Sequence, residues 1–373
     1  MLEHSLNLIL GRLVATAEGK AALRLFLARL LKLLQWLVRL CTGGYLLFLV
    51  LLWALFRYCG EHNLTLAFVL YLPPAGWALP LLVIVPVVLV FDWESLVLVA
   101  AIVALIAWGF LGLRSYGPRT AAATTPVLTV LTFNRGESKG SLEPFKNRIK
   151  PDVMVLQDAN NRAERYSKAP GYEEFQYGDE VGEFVIASRF PVTSKELISD
   201  GPVAVAGRFT VNWQGREVVI YSMHLPTPRH ALNALTHGAF LWGILGVGGS
   251  WAGKRQSDES WWEGQISHAR ALLRRAEAET LPCLLVGDSN APAQGYVHYL
   301  MTRRFVDSHE VAGSGTGMSF PGATHNPLSL GGPWLRIDKL LASPQWQPLW
   351  NLAEPDRPSQ HRSVAASFAL PAK

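Results

Sequence analysis

The chain is poor in charge. Asp, Glu, Lys and Arg make up 17% of its 373 residues while half of the residues are hydrophobic, against roughly 25% charged residues in ordinary soluble domains. The deficit points to lipid contact somewhere along the chain. Cysteine is also scarce, with only Cys41, Cys59 and Cys283. The first two would stand at opposite ends of a spanning helix, too far apart to bridge, so cysteine use does not identify the compartment. No short apolar core followed by a small-residue cleavage site lies near the start, which argues against a secretory signal peptide. There is no internal repeat and no low-complexity tract. The net charge of +5 is weak evidence for a nucleic-acid partner, because much of the excess falls on Arg12, Lys20, Arg24, Arg29, Lys32 and Arg39.

What the chain does have is long apolar sequence in its first third. Residues 20–40 are leucine-rich, with Lys20, Arg24, Lys32, Gln35 and Arg39 on one half of a helical wheel and Arg29 at its edge. This reads as an amphipathic helix lying on a membrane. Spanning instead would place several cations in hydrocarbon, at about 2.5 to 3.5 kcal/mol each near the centre. Three stretches then have the length and apolarity of spans: residues 41–58, 64–91 and 94–113. The middle one carries Pro73, Pro74, Pro80 and Pro86 and is expected as one bent or broken helix. The basic amino-terminal flank places the amino terminus in the cytoplasm. An odd number of spans then puts the carboxyl-terminal domain on the extracytoplasmic face, periplasmic in a bacterium; a fourth span over residues 20–40 would reverse this.

A chain of this length exceeds the roughly 250 to 300 residues of a single core. The expected organisation is a basic amphipathic segment over 1–40, three transmembrane helices over 41–114, a linker over 115–126 and a catalytic domain over 127–371. Beyond the linker, strand-like runs such as Val127 to Phe133, Val153 to Leu156, Glu183 to Ala187, Glu217 to Tyr221 and Leu281 to Val286 alternate with polar loops, and a helix is expected over Gln265 to Glu279.

Most candidate polar residues follow apolar strands, where loops carry active-site groups. They are Asn134, Asp158, His224, Asp288, Asn290, Asp338 and His361. Such a set offers carboxylates and amides to a hard cation and imidazoles for proton transfer, a combination suited to attack on a phosphate. The blocks around them, Thr132-Phe133-Asn134, Pro151 to Asp158, Ser188-Arg189-Phe190-Pro191, His224-Leu225-Pro226, Gly287-Asp288-Ser289-Asn290, Arg336-Ile337-Asp338 and Ser359-Gln360-His361, resemble, in order, the signature blocks of the endonuclease/exonuclease/phosphatase superfamily.

The resemblance implies an α+β fold, a four-layer α/β/β/α sandwich, here preceded by an all-α transmembrane region. It implies Asn134 and Asp158 as metal-site residues for Mg²⁺ or Mn²⁺, and His361 as the central catalytic imidazole, oriented through Asp338. Asp288 and Asn290 would position the attacking water and a phosphate oxygen, and His224 would stabilise the developing charge. Glu183, six residues before Arg189, stands where deoxyribonuclease-like members carry a glutamate that pairs with the first histidine. His230, His237, His268 and His325 belong to no such block. Three positions depart from the pattern: Asp158 replaces the usual glutamate, Gln360 replaces an aspartate, and Gly136 stands where some nucleases have an acid. Together they lower the negative charge around the cation and predict weaker metal binding.

Fold resemblance does not choose a substrate. An apolar insertion, Ala239 to Trp251, followed by Trp261-Trp262, either covers part of the core or dips into the bilayer and presents a lipid head group. A lipid or lipid-linked phosphoester is therefore the leading substrate class, with the bilayer itself as a partner. An extracytoplasmic nuclease is the second reading, not favoured because the domain's basic residues are scattered rather than gathered into a phosphate track. A membrane-tethered binding or scaffolding protein that has lost catalysis is the third. Retention of both histidines, Asp288, Asn290 and Asp338 argues against it.

Overall fold

The computed structural model describes residues 16–136, 141–229, 249–323, 330–357 and 359–371, with the isolated positions 232, 325 and 327. The chain divides into two compact units, Met1–Leu51 with Trp77–Ile106 and Leu52–Gly76 with Ala107–Lys373.

Among the described residues, three helices are long and apolar enough to cross a membrane: Ala17–Tyr58, Pro74–Phe91 and Trp93–Phe110. The first runs without a break through residue 40, where the amphipathic segment was expected to give way to a separate span. Leucine, alanine, lysine and arginine dominate this stretch and all favour helix, so the change from mixed to purely apolar sequence alters the helix's surroundings but not its backbone. Within the first unit, Arg39 on this helix pairs with Asp92 at 2.6 Å and with Glu94, in the turn between the second and third apolar helices. The cation at the foot of the apolar run is thereby neutralised by local acids.

The expected middle span is shorter than residues 64–91. Asn63 caps a separate helix, Leu64–Leu70, by accepting from the Leu66 amide at 3.0 Å, and Pro73 and Pro74 prevent its continuation. Leu64, Ala67, Phe68 and Leu70 are buried. This short helix belongs to the second unit, packed against the helix Gly249–Glu277, so protein covers its apolar side chains.

Among its described residues the second unit holds fourteen strands: β1 Arg114–Ser115, β2 Val127–Asn134, β3 Val153–Gln157, β4 Tyr177–Val181, β5 Phe184–Ser188, β6 Val192–Asp200, β7 Val203–Trp213, β8 Arg216–His224, β9 Cys283–Asp288, β10 Val306–Asp307, β11 Ser314–Gly315, β12 Asp338–Ala342, β13 Gln347–Ala353 and β14 Val364–Ala369. Two six-stranded sheets form, ordered β10-β12-β9-β8-β7-β6 and β13-β14-β2-β3-β5-β4. Alternation along the strands gives each sheet two apolar faces. Leu128, Val130, Val155 and Ile186 of one sheet meet Phe209, Val211, Ile220, Val286 and Leu340 of the other. The outer face carrying Val219, Tyr221 and Leu285 is covered by Ile266, Ala269 and Leu272 of the helix Gly249–Glu277. The opposite outer face, with Leu131, Met154 and Val185, is covered by Phe145 and by Tyr166, Tyr172 and Phe175. This is the α+β four-layer sandwich that the resemblance implies. The covering helix begins at Gly249, sixteen residues before the expected start. The segment expected as a linker is tied down by backbone: β1 pairs with β11, and the Arg119 amide donates to Leu349 O at 2.9 Å.

Candidate active site

The topology gathers the chemical residues at one edge of the sandwich. Strands β2 and β3 run parallel and end at Asn134 and Gln157, with Asp158 next; β8 and β9 run parallel and end in register at His224 and Asp288. Antiparallel β12 starts beside them, with Asp338 opposite Asp288. Antiparallel β14, paired Val364 to Thr132, puts the preceding loop with His361 at the same edge. Between the sheets just beneath, Gln157 Nε2 donates to Ser222 Oγ at 2.9 Å. There Gly287, at φ +133, approaches so closely that a Cβ would lie 2.3 Å from Met223 O.

Two imidazoles flank one carboxylate. Asp288 is fully buried, and its Oδ2 lies 3.7 Å from His361 Nε2 and 3.8 Å from His224 Nε2. Each imidazole is anchored by its other nitrogen, His361 Nδ1 to Asp338 Oδ2 at 2.9 Å and His224 Nδ1 to Glu183 Oε1 at 2.7 Å. Asp338 Oδ2 also accepts from Ser319 Oγ at 2.6 Å. Asp288 is fixed in turn by the amide of Asn290 at 2.7 Å and by Asn134 Nδ2 at 2.8 Å. Burial works against charge on His361, yet the Asp338 and Asp288 carboxylates prevail and push its pKa up to about 9. In His224 burial is likewise outweighed, by the Glu183 hydrogen bond and the Asp288 charge, and the pKa is raised. Burial raises the pKa of Asp288 itself. The carboxylates thus favour the charged form of the imidazoles in a setting where burial alone would make them neutral.

Asn290 occupies the left-handed region at φ +45, tolerated by asparagine. Its side-chain amide donates to Leu225 O at 2.8 Å, and its own carbonyl accepts from Tyr71 Oη at 2.6 Å and Gln265 Nε2 at 3.2 Å. Asp158 is exposed and also left-handed, at φ +51. A Cβ built on Gly136 would lie 3.8 Å from Asn134 Oδ1 and 3.9 Å from both Asp158 Oδ2 and Gln360 Oε1, so three oxygens ring the space that this glycine leaves open. An all-oxygen set from one carboxylate and two amides fits a hard divalent cation such as Mg²⁺ or Mn²⁺.

A cavity of about 470 Å³ opens over these groups. Asn134, Asp158, His224, Asp288, Asn290 and His361 line it, while Glu183 and Asp338 stand behind the two imidazoles. Tyr71, Arg229, Phe320 and Leu335, to which sequence reasoning gave no role, also line it, with Ile337. The Phe320 ring packs at a tilt against that of His361, with centroids 4.8 Å apart. For Tyr71 the available signal was the Asn63 cap and the Pro73-Pro74 stop around a segment too short to span. Next to Tyr71 the Trp262 ring is buried, 5.4 Å away, so this tryptophan, which follows the apolar insertion, serves the core. Residues 239–248 of the insertion, and His230 and His237, lie outside the described residues. His268 pairs with Asp200 at 2.9 Å on the covering helix.

Fold and site together define a hydrolase domain of the kind that acts on phosphoesters. The chain belongs to the Endonuclease/Exonuclease/phosphatase family, whose sequence model matches residues 133–361. Members are phosphoester hydrolases that generally use a divalent metal. Among solved structures, an endonuclease/exonuclease/phosphatase family protein from Bacteroides thetaiotaomicron is 15% identical, covering 67% of this chain and 100% of that one, with a TM-score of 0.46. The mannosyl-6-phosphatase of the same species is 14% identical over 65% of this chain and 99% of its own, with a TM-score of 0.44. Truncated TDP2 of Caenorhabditis elegans is 17% identical over 65% and 98%, with a TM-score of 0.41. Likeness at this level says nothing of substrate. A search of curated proteins finds no match.

Proposed function

We propose that this protein is a membrane-anchored, divalent-metal-dependent phosphoesterase whose substrate is a lipid or lipid-linked phosphoester. The observation that carries the catalytic part is the pair of carboxylate-anchored imidazoles meeting at buried Asp288. The pKa of about 9 keeps His361 protonated at neutral pH, and that of His224 is raised in the same direction, so imidazole N–H groups face the place where a phosphate gains charge. His361, its Nδ1 proton held by Asp338, keeps an Nε2 proton available for transfer. Asp288, locked by Asn134 and the Asn290 amide, holds the attacking water on its free lone pairs. Asn134, Asp158 and Gln360 would hold the cation, which supplies Lewis-acid polarisation of a phosphate oxygen.

Two features support the lipid assignment. Three helices able to span a bilayer keep the domain at a membrane, its extracytoplasmic face by the basic amino-terminal flank. Besides the polar groups, the cavity lining includes Tyr71, Leu232, Phe320, Leu335 and Ile337, apolar surface for the alcohol part of the ester. Arg229 is the one arginine among the described lining residues, which gives little support to a nucleic-acid track.

The test uses the full chain in neutral detergent, assayed on soluble phosphate mono- and diesters and on phospholipid vesicles with Mg²⁺, Mn²⁺ or chelator, beside His361→Ala. Metal-dependent turnover that the variant lacks is expected. A folded, metal-replete protein inert on every ester, in solution and in vesicles, would overturn the enzymatic reading.

A further inference from the structure

A second cavity, of about 260 Å³, shares no lining residue with the first. Its walls include Trp53 and Arg57 from the last turns of the helix Ala17–Tyr58, Trp108 from the end of the third apolar helix, and Arg114, His309 and Arg336. The charges on this wall are not matched. Arg336 is taken up by Asp307 at 2.6 Å and Glu310, the acid in the lining, by His298 at 3.1 Å. Arg57 and Arg114 have no carboxylate within ion-pair distance among the described residues. Arg57 lies over the Tyr299 ring, 5.1 Å from its centroid. Arg114 Nη1 donates to Trp108 O and Leu113 O, each at 3.0 Å, which leaves the rest of its guanidinium unengaged.

Position supplies the second line of argument. Tryptophans at the ends of apolar helices occupy the depth of lipid head groups, and Trp53 and Trp108 are at such ends. A half-buried pair of arginines at that depth meets lipid phosphates, and basic pockets beside membrane helices hold acidic head groups.

We infer that this cavity binds the phosphate of an anionic membrane phospholipid, with Arg57 and Arg114 as its charge partners. It is a non-catalytic lipid site: the carboxylate in its described lining, Glu310, is engaged by His298 and Arg336, and its occupant bridges the ends of two apolar helices and the loops of the hydrolase domain. A phosphate anion is the shared chemistry, and a free phosphate is the competing source.

The full chain, purified in neutral detergent, is given phosphatidylglycerol, phosphatidylcholine or inorganic phosphate, and binding is read by native mass spectrometry and by thermal unfolding. Phosphatidylglycerol is expected to stay bound and raise the unfolding temperature, phosphatidylcholine much less, and inorganic phosphate at equal concentration not at all. Arg57→Gln with Arg114→Gln is expected to bind phosphatidylglycerol at least about tenfold more weakly, since each basic side chain near the surface contributes roughly 1 kcal/mol. His361→Ala keeps the lipid, which separates this site from the catalytic one. If the double variant does not fold, Arg57→Gln alone is read for a smaller loss in the same direction. Equal retention of the two lipids, undiminished binding by the folded variants, or protection by inorganic phosphate equal to that by lipid would each overturn the inference.

Discussion

Replacing Asp338 by asparagine isolates the charge behind His361. Asp338 Oδ2 already accepts from both Ser319 and His361, while Oδ1 has no hydrogen-bond partner. An amide can therefore keep its oxygen in the Oδ2 position and turn its NH₂ to the Oδ1 side, leaving the packing intact. What changes is electrostatic. The rise of the His361 pKa from 6.5 to about 9 is about 2.5 units, or about 3 kcal/mol, and Asp338 contributes to it through both charge and hydrogen bond. Burial persists in Asp338→Asn, so the imidazole should fall to the ordinary range or below and be largely neutral at pH 7.5. Turnover of a soluble phosphodiester should drop by about 10²- to 10⁴-fold, with the alkaline limb of the pH profile moving down from near 9. Stability carries the same signature. A pKa raised on folding stabilises fully below 6.5 and loses that contribution as pH rises through about 9, so the chelated wild type should weaken across this window and Asp338→Asn should weaken less, the raised pKa of His224 remaining in both. Thermal unfolding of the full chain from pH 6 to 10 measures it. Unchanged turnover with the alkaline limb in place would refute the assignment of His361 as a carboxylate-held acid.

Three further outcomes are expected. Gln360→Asp restores a charge to the oxygen ring over Gly136 and should tighten Mg²⁺ or Mn²⁺ binding by about tenfold, read as the metal concentration for half-maximal turnover. Tyr71→Phe removes one of two donors to the Asn290 carbonyl and should cost about 1 kcal/mol in chemical unfolding, with Gln265 retaining the loop. Gly287→Ala forces a Cβ to within 2.3 Å of Met223 O at a backbone angle that only glycine adopts readily; a loss of at least about 3 kcal/mol, seen as failure to recover folded protein, is expected.

Much of the site is legible because each chemical residue directly follows an apolar strand, and parallel neighbours such as β8 and β9 necessarily end at one edge. The Glu183 and His224 contact is legible from an offset, since the hairpin of β4 and β5 carries the glutamate to the strand ends. The segment 59–76 is not. Leucine and phenylalanine have the same composition whether lipid or protein covers them, so Leu64–Leu70 reads as part of a span until its partners are seen. The first half of the helix Gly249–Glu277 is hidden for the opposite reason: Lys254 to Ser260 is polar and lacks the apolar periodicity that marks a packed face. Ser319 and Phe320, which support Asp338 and His361, lie on irregular backbone with no pattern to read.

The tie between Tyr71 and Asn290 spans 219 residues, and Glu61, whose carboxylate accepts from the Tyr296 amide at 2.6 Å, reaches across 235. At about 5 to 20 residues per second of synthesis, each of these early side chains waits on the order of 10 to 45 seconds for its partner to be made. During that interval Glu61 has neither the amides it later receives nor the shelter that raises its pKa to about 7, and it stays ionised in water. Completion of the pocket is therefore an event of late translation, and a nascent chain halted before residue 290 would present Glu61 and Tyr71 without the partners that later cover them.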